Sequence, residues 1–420
     1  MFYPFEQKTN AKKDTVMDWN AIYPKPYLKS NIDPFTKVRI ILMNTIEVES
    51  VAFSHQFHRN CQDNDLRREL AVMRRTEQQQ QKQINWLKPI DETQLETTIG
   101  YEHATVALTA WLAQNEPDDY VKQTLDFALI EDFDHLYRYS NLLHLDHANP
   151  SQKLVKSYVD ISPGRPTISQ HRSPEDSVRY YTDFKTADIR TKLSTMIITA
   201  AEQQTMNYYM NLGNDYENEL GRKLFLEIAM IEEQHVTQYG SLMDPSSTWL
   251  EKLLLHEYME CYLYDSFYED ETDPCVKSIW EMHLYQEIAH LKIAADLLYK
   301  YENKQWEQYV PAAFPPLLQF CDTRNYIRSV LAEQIELTAD KESLVNMSEI
   351  PSDHSFFAYQ SKMNHSIDTV ASHLVIVKHV QEYKEDYRAE SKPNPVYELS
   401  DRIQDNTDLA RTKQSTFALL

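Results

Sequence analysis

One fixed offset constrains this chain more than any other feature in it. Glu47, Glu77, Gln80, Glu102, Asp132 and His135 are followed 155 residues later by Glu202, Glu232, His235, Glu257, Glu287 and His290, without a gap and with identity at four of the six. Agreement of that kind arises by chance on the order of one time in a hundred, so the chain reads as an internal duplication. Within the second copy the pattern recurs: Glu202 to Glu232 and Glu257 to Glu287 are both 30 residues, and an offset of 55 carries His235 onto His290. Residues three apart share a helix face, so Glu232 with His235, Glu257 with Glu260, and Glu287 with His290 can each aim at one point. A helix rises about 1.5 Å per residue, so 30 residues suffice to run half a helix, turn and return to the same depth. Isolated Glu-x-x-His matches carry little information; the common depth carries the argument.

An all-α protein is expected, because glycine is scarce at 5 in 420 residues and good helix formers are plentiful. The formal net charge of −22 argues against nucleic acid or an anionic membrane as partner and suits the handling of cations. No stretch approaches the length of a membrane span and the N-terminus lacks a signal-peptide pattern, which points to a cytoplasmic protein. Cys61, Cys261, Cys275 and Cys321 are scattered without a Cys-x-x-Cys, which indicates neither a disulfide framework nor a thiolate metal site.

Along the chain, residues 1–35 read as an extended, Pro- and Tyr-rich lead. Residues 36–147 read as a four-helix bundle with helices near Val38–His58, Leu66–Trp86, Glu92–Gln114 and Tyr120–His144. Residues 188–305 form the second bundle. The first copy is degraded: Gln80 stands where His235 stands, Thr105 where Glu260 does and Asp132 where Glu287 does. A metal-free or single-metal first bundle is therefore expected, since packing faces need none of these ligands. The Pro-rich segment 148–187 reads as a surface crossover, with His171 and Arg172 as alternative caps of the second site's entrance. A helical extension follows over 306–389, with helices near Arg324–Lys341 and Phe356–Lys384, and a flexible polar tail over 390–420.

Four or more buried carboxylates with two imidazoles need a cation to be tolerable, and this donor set prefers iron or manganese. The second half resembles the ferritin-like superfamily and is most similar to the four-helix domain of rubrerythrins, in which Glu, Glu-x-x-His, Glu-x-x-Glu and Glu-x-x-His follow in that order. The resemblance covers roughly residues 188–302, with an echo over 36–147. It implies tandem ferritin-like bundles and two iron ions, with manganese as the alternative at one or both positions, held by Glu202, Glu232, His235, Glu257, Glu260, Glu287 and His290. It further implies peroxide reduction, with Glu260 and His235 exchanging as ligands with redox state. Tyr209 and Tyr264, two turns along from Glu202 and Glu257, become hydrogen-bond donors to the site or ordinary core tyrosines. A rubredoxin part is absent, so a separate electron-donor protein is implied.

A second resemblance competes. His283 precedes Glu287 by one turn, which is similar to the last helix of di-iron arylamine N-oxygenases, where the added histidine is a ligand. If His283 binds metal, oxygen activation for oxidation of a small organic substrate such as an amine becomes the better reading; otherwise it is a core histidine. The third reading is non-catalytic: an iron-binding or structural ferritin-like protein. A homodimer is left open.

Overall fold

The computed structural model describes residues 2–9, 16–149 and 151–384, the side chain of 367 excepted; the tail expected over 390–420 lies outside them. The chain is 69% helix with 13 helices among these residues, as the composition implies. Eight long helices carry the fold: α1 (Pro34–Asn60), α2 (Asn64–Asn85), α3 (Gln94–Asn115), α4 (Asp119–His147), then, after the four-residue α5 (Gln152–Val155) and α6 (Thr167–Gln170), α7 (Ile189–Leu212), α8 (Glu219–Ser241), α9 (Trp249–Asp270) and α10 (Pro274–Glu302). They are followed by α11 (Arg324–Gln334), a hairpin of β1 (Leu337–Asp340) and β2 (Ser343–Asn346), α12 (Ser355–Asn364) and α13 (Ala371–Tyr383).

The 155-residue offset extends to the helix ends. Thr93 opens α3 and Thr248 opens α9, each in a capping box completed by Glu96 or Glu251. Asp118 and Asp273 cap α4 and α10, and Ala148 and Asn303 close them in the left-handed conformation at φ 49° and 54°. Each N-cap satisfies backbone N–H groups that the helix leaves unpaired, worth about 1 kcal/mol apiece, so these ends are set locally.

The expected C-terminal helix 324–341 stops at Gln334. Beyond it, β-branched Ile335, Thr338 and Val345 favour strand, and Asp340 pairs with Ser343 across a turn in which Lys341 takes φ 54°. The single helix expected over 356–384 is two, broken at His365, which adopts φ 51°.

The chain divides into two compact units, and not along the expected sequential boundaries of 36–147 and 188–305. The first comprises Met1–Glu92, Tyr181–Gln204 and Met243–Phe320; the second comprises Thr93–Tyr180, Thr205–Leu242 and the described residues from Cys321 onward. In the first unit the hairpins α1–α2 and α9–α10 pack with α1 on α9 and α2 on α10. Ile40, Ile46, Leu70, Leu254, Leu263 and Ile288 fill its core. Arg39 ties α1 to the α9–α10 turn, its Nε donating to Glu271 and its Nη1 to Asp270 at 2.9 and 2.7 Å. In the second unit the α3–α4 hairpin packs against α8, with α11 and α13 laid over α4. Its core runs through Leu129, Phe133, Leu136, Tyr139, Phe225 and Ile228 to Ile327, Val375 and Ile376 of the C-terminal helices.

Candidate metal centres

Two groups of buried acids and histidines stand at the middle of the long helices, one in each unit. In the second unit Glu102 on α3, Asp132 and His135 on α4, and Glu232 and His235 on α8 are all buried. The i, i+3 spacing brings each helix's pair to one face. Ligand atoms of Glu102, His135 and Glu232 lie within 4.8 Å of one another, and so do those of Asp132, Glu232 and His235. His135 Nδ1 is 2.9 Å from Glu232 Oε1, and His235 Nδ1 is 3.3 Å from Glu232 Oε2 and 3.2 Å from Asp132 Oδ1. The imidazole planes lie 22° apart with centroids 6.0 Å apart.

The outer ring nitrogens explain this arrangement. His135 Nε2 meets Gln170 Oε1 at 2.7 Å and His235 Nε2 meets Glu131 Oε2 at 2.8 Å. Both acceptors call for a proton on Nε2, so each neutral ring turns the lone pair of Nδ1 toward the carboxylates. Lone pair against lone pair is repulsive unless a proton or a cation lies between. Both oxygens of Asp132 and of Glu232, Oε2 of Glu102 and Nδ1 of His135 have no aligned hydrogen-bond partner despite full burial. Their ligand atoms lie close enough together that the group could hold a metal ion. In the metal-free protein burial opposes the charge on His135, but Glu232, Glu102 and Asp132 raise its pKa to about 9. Burial likewise opposes Glu232, and the two imidazoles hold it well below the usual carboxylate range. Burial first, and neighbouring acids after it, push Glu102 up.

The acceptor for His235 is itself held. Glu131 receives Arg172 Nη1 at 2.8 and 3.0 Å and Arg165 Nη1 at 2.5 Å. Burial would raise Glu131, but Arg172 and Arg165 keep it strongly acidic. Both arginines come from the segment expected as a surface crossover; Arg165, Gln170, His171 and Arg172 are instead buried. The segment can enter because its polar groups find partners inside. Thr167 N and Oγ1 donate to Asp134 Oδ2, and Gly164 N to Asp134 Oδ1. Gly164 is required there, since a Cβ would stand 2.3 Å from Ile130 O.

In the first unit Glu77 on α2, Glu257 on α9, and Glu287 and His290 on α10 bring ligand atoms within 4.8 Å of one another. His290 Nδ1 is 3.0 Å from Glu287, 3.5 Å from Glu77 and 3.7 Å from Glu257. Glu47 and Glu260 are buried too, and burial first, then the charge of Glu287, pushes the carboxyl of each well above the usual range. Glu77 rises to about 7, first through burial and then through Glu287, with His290 opposing. No lysine or arginine comes within ion-pair distance of these five carboxylates among the described residues. Gln80, at the position matching His235, donates Nε2 to Glu287 Oε1 at 2.5 Å. An amide donor thus stands at the position where the second half of the sequence has an imidazole.

The seven residues expected to form one centre therefore do not. Glu257, Glu260, Glu287 and His290 share the first unit's group with Glu77, whereas Glu232 and His235 belong to the second unit's group. Glu202 is fully buried on α7 and is not among the acids gathered around His290. The expected exchange pair, Glu260 and His235, is divided between the groups. His283 is outside both groups of ligand atoms: Nε2 lies 2.8 Å from Gln83 Oε1 and Nδ1 3.2 Å from the Tyr264 hydroxyl, and burial lowers its pKa to about 3. The two tyrosines do reach the groups, Tyr264 donating to Glu47 Oε1 and Tyr209 to Glu102 Oε1. The repeat pointed to Glu47, Glu77, Glu102, Asp132 and His135 only as a degraded copy. No sequence pattern pointed to Glu131, Arg165 or Gln170, which act through tertiary contact. No helix among the described residues is long and apolar enough to cross a membrane. Comparison with protein families, with curated proteins and with solved structures finds no match.

Proposed function

We propose that this chain is a non-haem di-iron oxidoreductase built from two ferritin-like bundles that have exchanged hairpins, with its reactive centre in the second unit. Four observations support the bundle reading: the 155-residue offset of ligands and caps, the long antiparallel hairpins, the acids at one depth, and the i, i+3 Glu/Asp and His pairs on α4 and α8. The observation that carries the functional reading is the pair of imidazoles, His135 and His235. Their outer nitrogens are tied to Gln170 and Glu131, and their inner nitrogens face unpaired carboxylate oxygens.

His135, His235, Glu102, Asp132 and Glu232 would hold the ions, with manganese as the alternative metal. Bound iron supplies reversible one-electron chemistry toward oxygen or peroxide. The protein's own residues do the rest. Glu131, clamped by Arg165 and Arg172, fixes the ring of His235, and Gln170 fixes that of His135. Tyr209 offers its hydroxyl proton to Glu102 and can pass or withhold it there. Burial of every donor excludes bulk water.

Oxygen activation toward an organic substrate is the favoured form of this reading. The pair whose exchange marks rubrerythrin-like peroxide reduction is incomplete in each centre: the first has Glu260 with Gln80, and the second has His235 with Thr105. Thr105 spends its hydroxyl on the backbone carbonyls of Tyr101 and Glu102. Peroxide reduction with a separate electron-donor protein is the second reading, and Glu260, both of whose oxygens lack a donor, favours it in the first unit. The test is anaerobic loading with ferrous iron, followed by separate mixing with oxygen and with peroxide. Two or more irons per chain, oxidised faster by oxygen, are expected. Faster oxidation by peroxide supports the second reading, and a chain that binds no iron refutes both.

A further inference from the structure

In the second unit helices α4 and α13 run parallel. Arg138 Nη1 donates to Ser372 O at 3.1 Å, and further along both helices His144 Nδ1 meets His379 Nε2 at 3.0 Å. The two helices therefore end at the same place, α4 at His147 and α13 at Tyr383, each closed by a left-handed residue, Ala148 and Lys384. Like ends of two helix dipoles lie together there, each with about half a negative charge on its last carbonyls. A cation is favoured at such a place. Lys384 supplies one to Gln381 O at 2.6 Å, while the last turn of α13 holds no basic residue.

The side chains at this end are metal ligands by type. Of two facing ring nitrogens one can donate only if the other accepts, so a single proton holds His144 to His379. Neighbouring nitrogen ligands at about 2.1 Å from one ion stand about 3 Å apart, so a cation can replace that proton with little movement. Tyr383 fixes His144 for either role: the rings stack with centroids 3.8 Å apart and planes 13° apart, and its hydroxyl donates to His144 O at 2.9 Å. The offset of 235 that pairs His144 with His379 also sets His147 opposite Glu382, one turn on in each helix. Both are exposed, so their side chains can turn toward the imidazole pair. Burial and then the Glu382 carboxylate push the Tyr383 hydroxyl above its usual range, which puts that carboxylate close to the ring stacked on His144. Asp146, the other acid here, is taken by Tyr216 and Asn218 at 2.6 and 2.9 Å.

We propose that His144, His147, His379 and Glu382 form a site for a divalent transition cation of the zinc class, which fastens α13 to α4 at the end of their seam. Three imidazoles and a carboxylate are a donor set that suits such an ion. The site shares no residue with the two buried groups and does not rest on the function proposed above. Hydrogen exchange of the amides of 371–383, read by mass spectrometry on the chelated full chain, is compared with and without zinc. Slowing by about tenfold is expected once zinc stands about tenfold above its dissociation constant. Magnesium should produce none, since it prefers oxygen ligands to imidazole. His379→Gln keeps a hydrogen-bonding group toward His144 but removes a nitrogen ligand. It should abolish the slowing in 371–383 and lower the zinc bound per chain by one, whereas zinc bound only at the buried groups would slow both chains alike. Where that change loosens α13 by itself, His147→Ala, at an exposed position, should weaken the zinc effect by about tenfold. No slowing with zinc, or slowing that survives unchanged in either variant, overturns the proposal.

Discussion

The two units present the same spacing of acids and histidines on similar helices around different sets of side chains. The first gathers five carboxylates around one imidazole, with Gln80 donating an amide hydrogen where an imidazole could stand. The second sets three carboxylates against two imidazoles whose rings are fixed from behind by Gln170 and Glu131. Packing is indifferent to the exchange of Gln for His, but metal affinity is not, because a neutral nitrogen ligand with a fixed tautomer is what borderline transition ions prefer. Equal spacing on similar helices is thus compatible with two groups of different affinity for a cation.

The most severe way to break the comparison is to remove Glu232, the carboxylate that both imidazoles face. Glu232→Ala should lower metal affinity in the second unit by more than about 100-fold, beyond the range seen for supporting residues, while Glu287→Ala should do the same in the first unit alone. Metal counted per chain by mass spectrometry should drop only partly in each variant. Complete loss from either would mean a single shared centre.

Removing the support behind a ligand should cost less. Glu131→Gln leaves His235 without its anionic acceptor, and a loss of about 10- to 100-fold in affinity is expected at the second unit's centre. Cobalt titration followed by visible absorption measures it, and an unchanged titration would reduce Glu131 to a partner of Arg165 and Arg172.

A gain sharpens the contrast from the other side. Gln80→His gives the first unit a second imidazole and should raise its affinity for ferrous or cobaltous ion by about tenfold, the low end of the effect of one supporting group. If affinity falls, Gln80 is holding Glu287 in place rather than displacing a ligand.

The smallest effect is on metal-free stability. The folded pKa of Glu77 is raised from 4.5 to about 7, so its contribution is complete below pH 4.5 and is lost as pH rises through 7. That of His135 is raised from 6.5 to about 9, so its contribution is complete below 6.5 and is lost as pH rises through 9. Urea midpoints of the chelated protein should therefore decline between pH 5 and 9, the first unit's share coming at lower pH. A midpoint that rises over that interval contradicts both assignments.

What could be read in the sequence was local. Thr93 with Glu96, Thr248 with Glu251, Asp118 and Asp273 announce helix starts, because caps act within one turn. The i, i+3 pairs and the 155-residue offset likewise gave the acids and histidines a common depth. The hairpin at Leu337–Asn346 was missed because four-residue strands are too short to establish an alternation of period two. The Pro-rich segment was misread as surface because its burial depends on Asp134 and Glu131, which lie in another helix.

The sequence by itself therefore determined the long helices, their capped starts and which acids and histidines share a helix face, since each follows from neighbours a few residues away. Only the tertiary structure decided which hairpin joins which. Hairpins of similar length and spacing offer similar apolar faces, and the choice turns on side-chain complementarity across the core. That choice parted Glu232 and His235 from Glu257, Glu287 and His290, and gave His235 a buried carboxylate and two arginines to stand on.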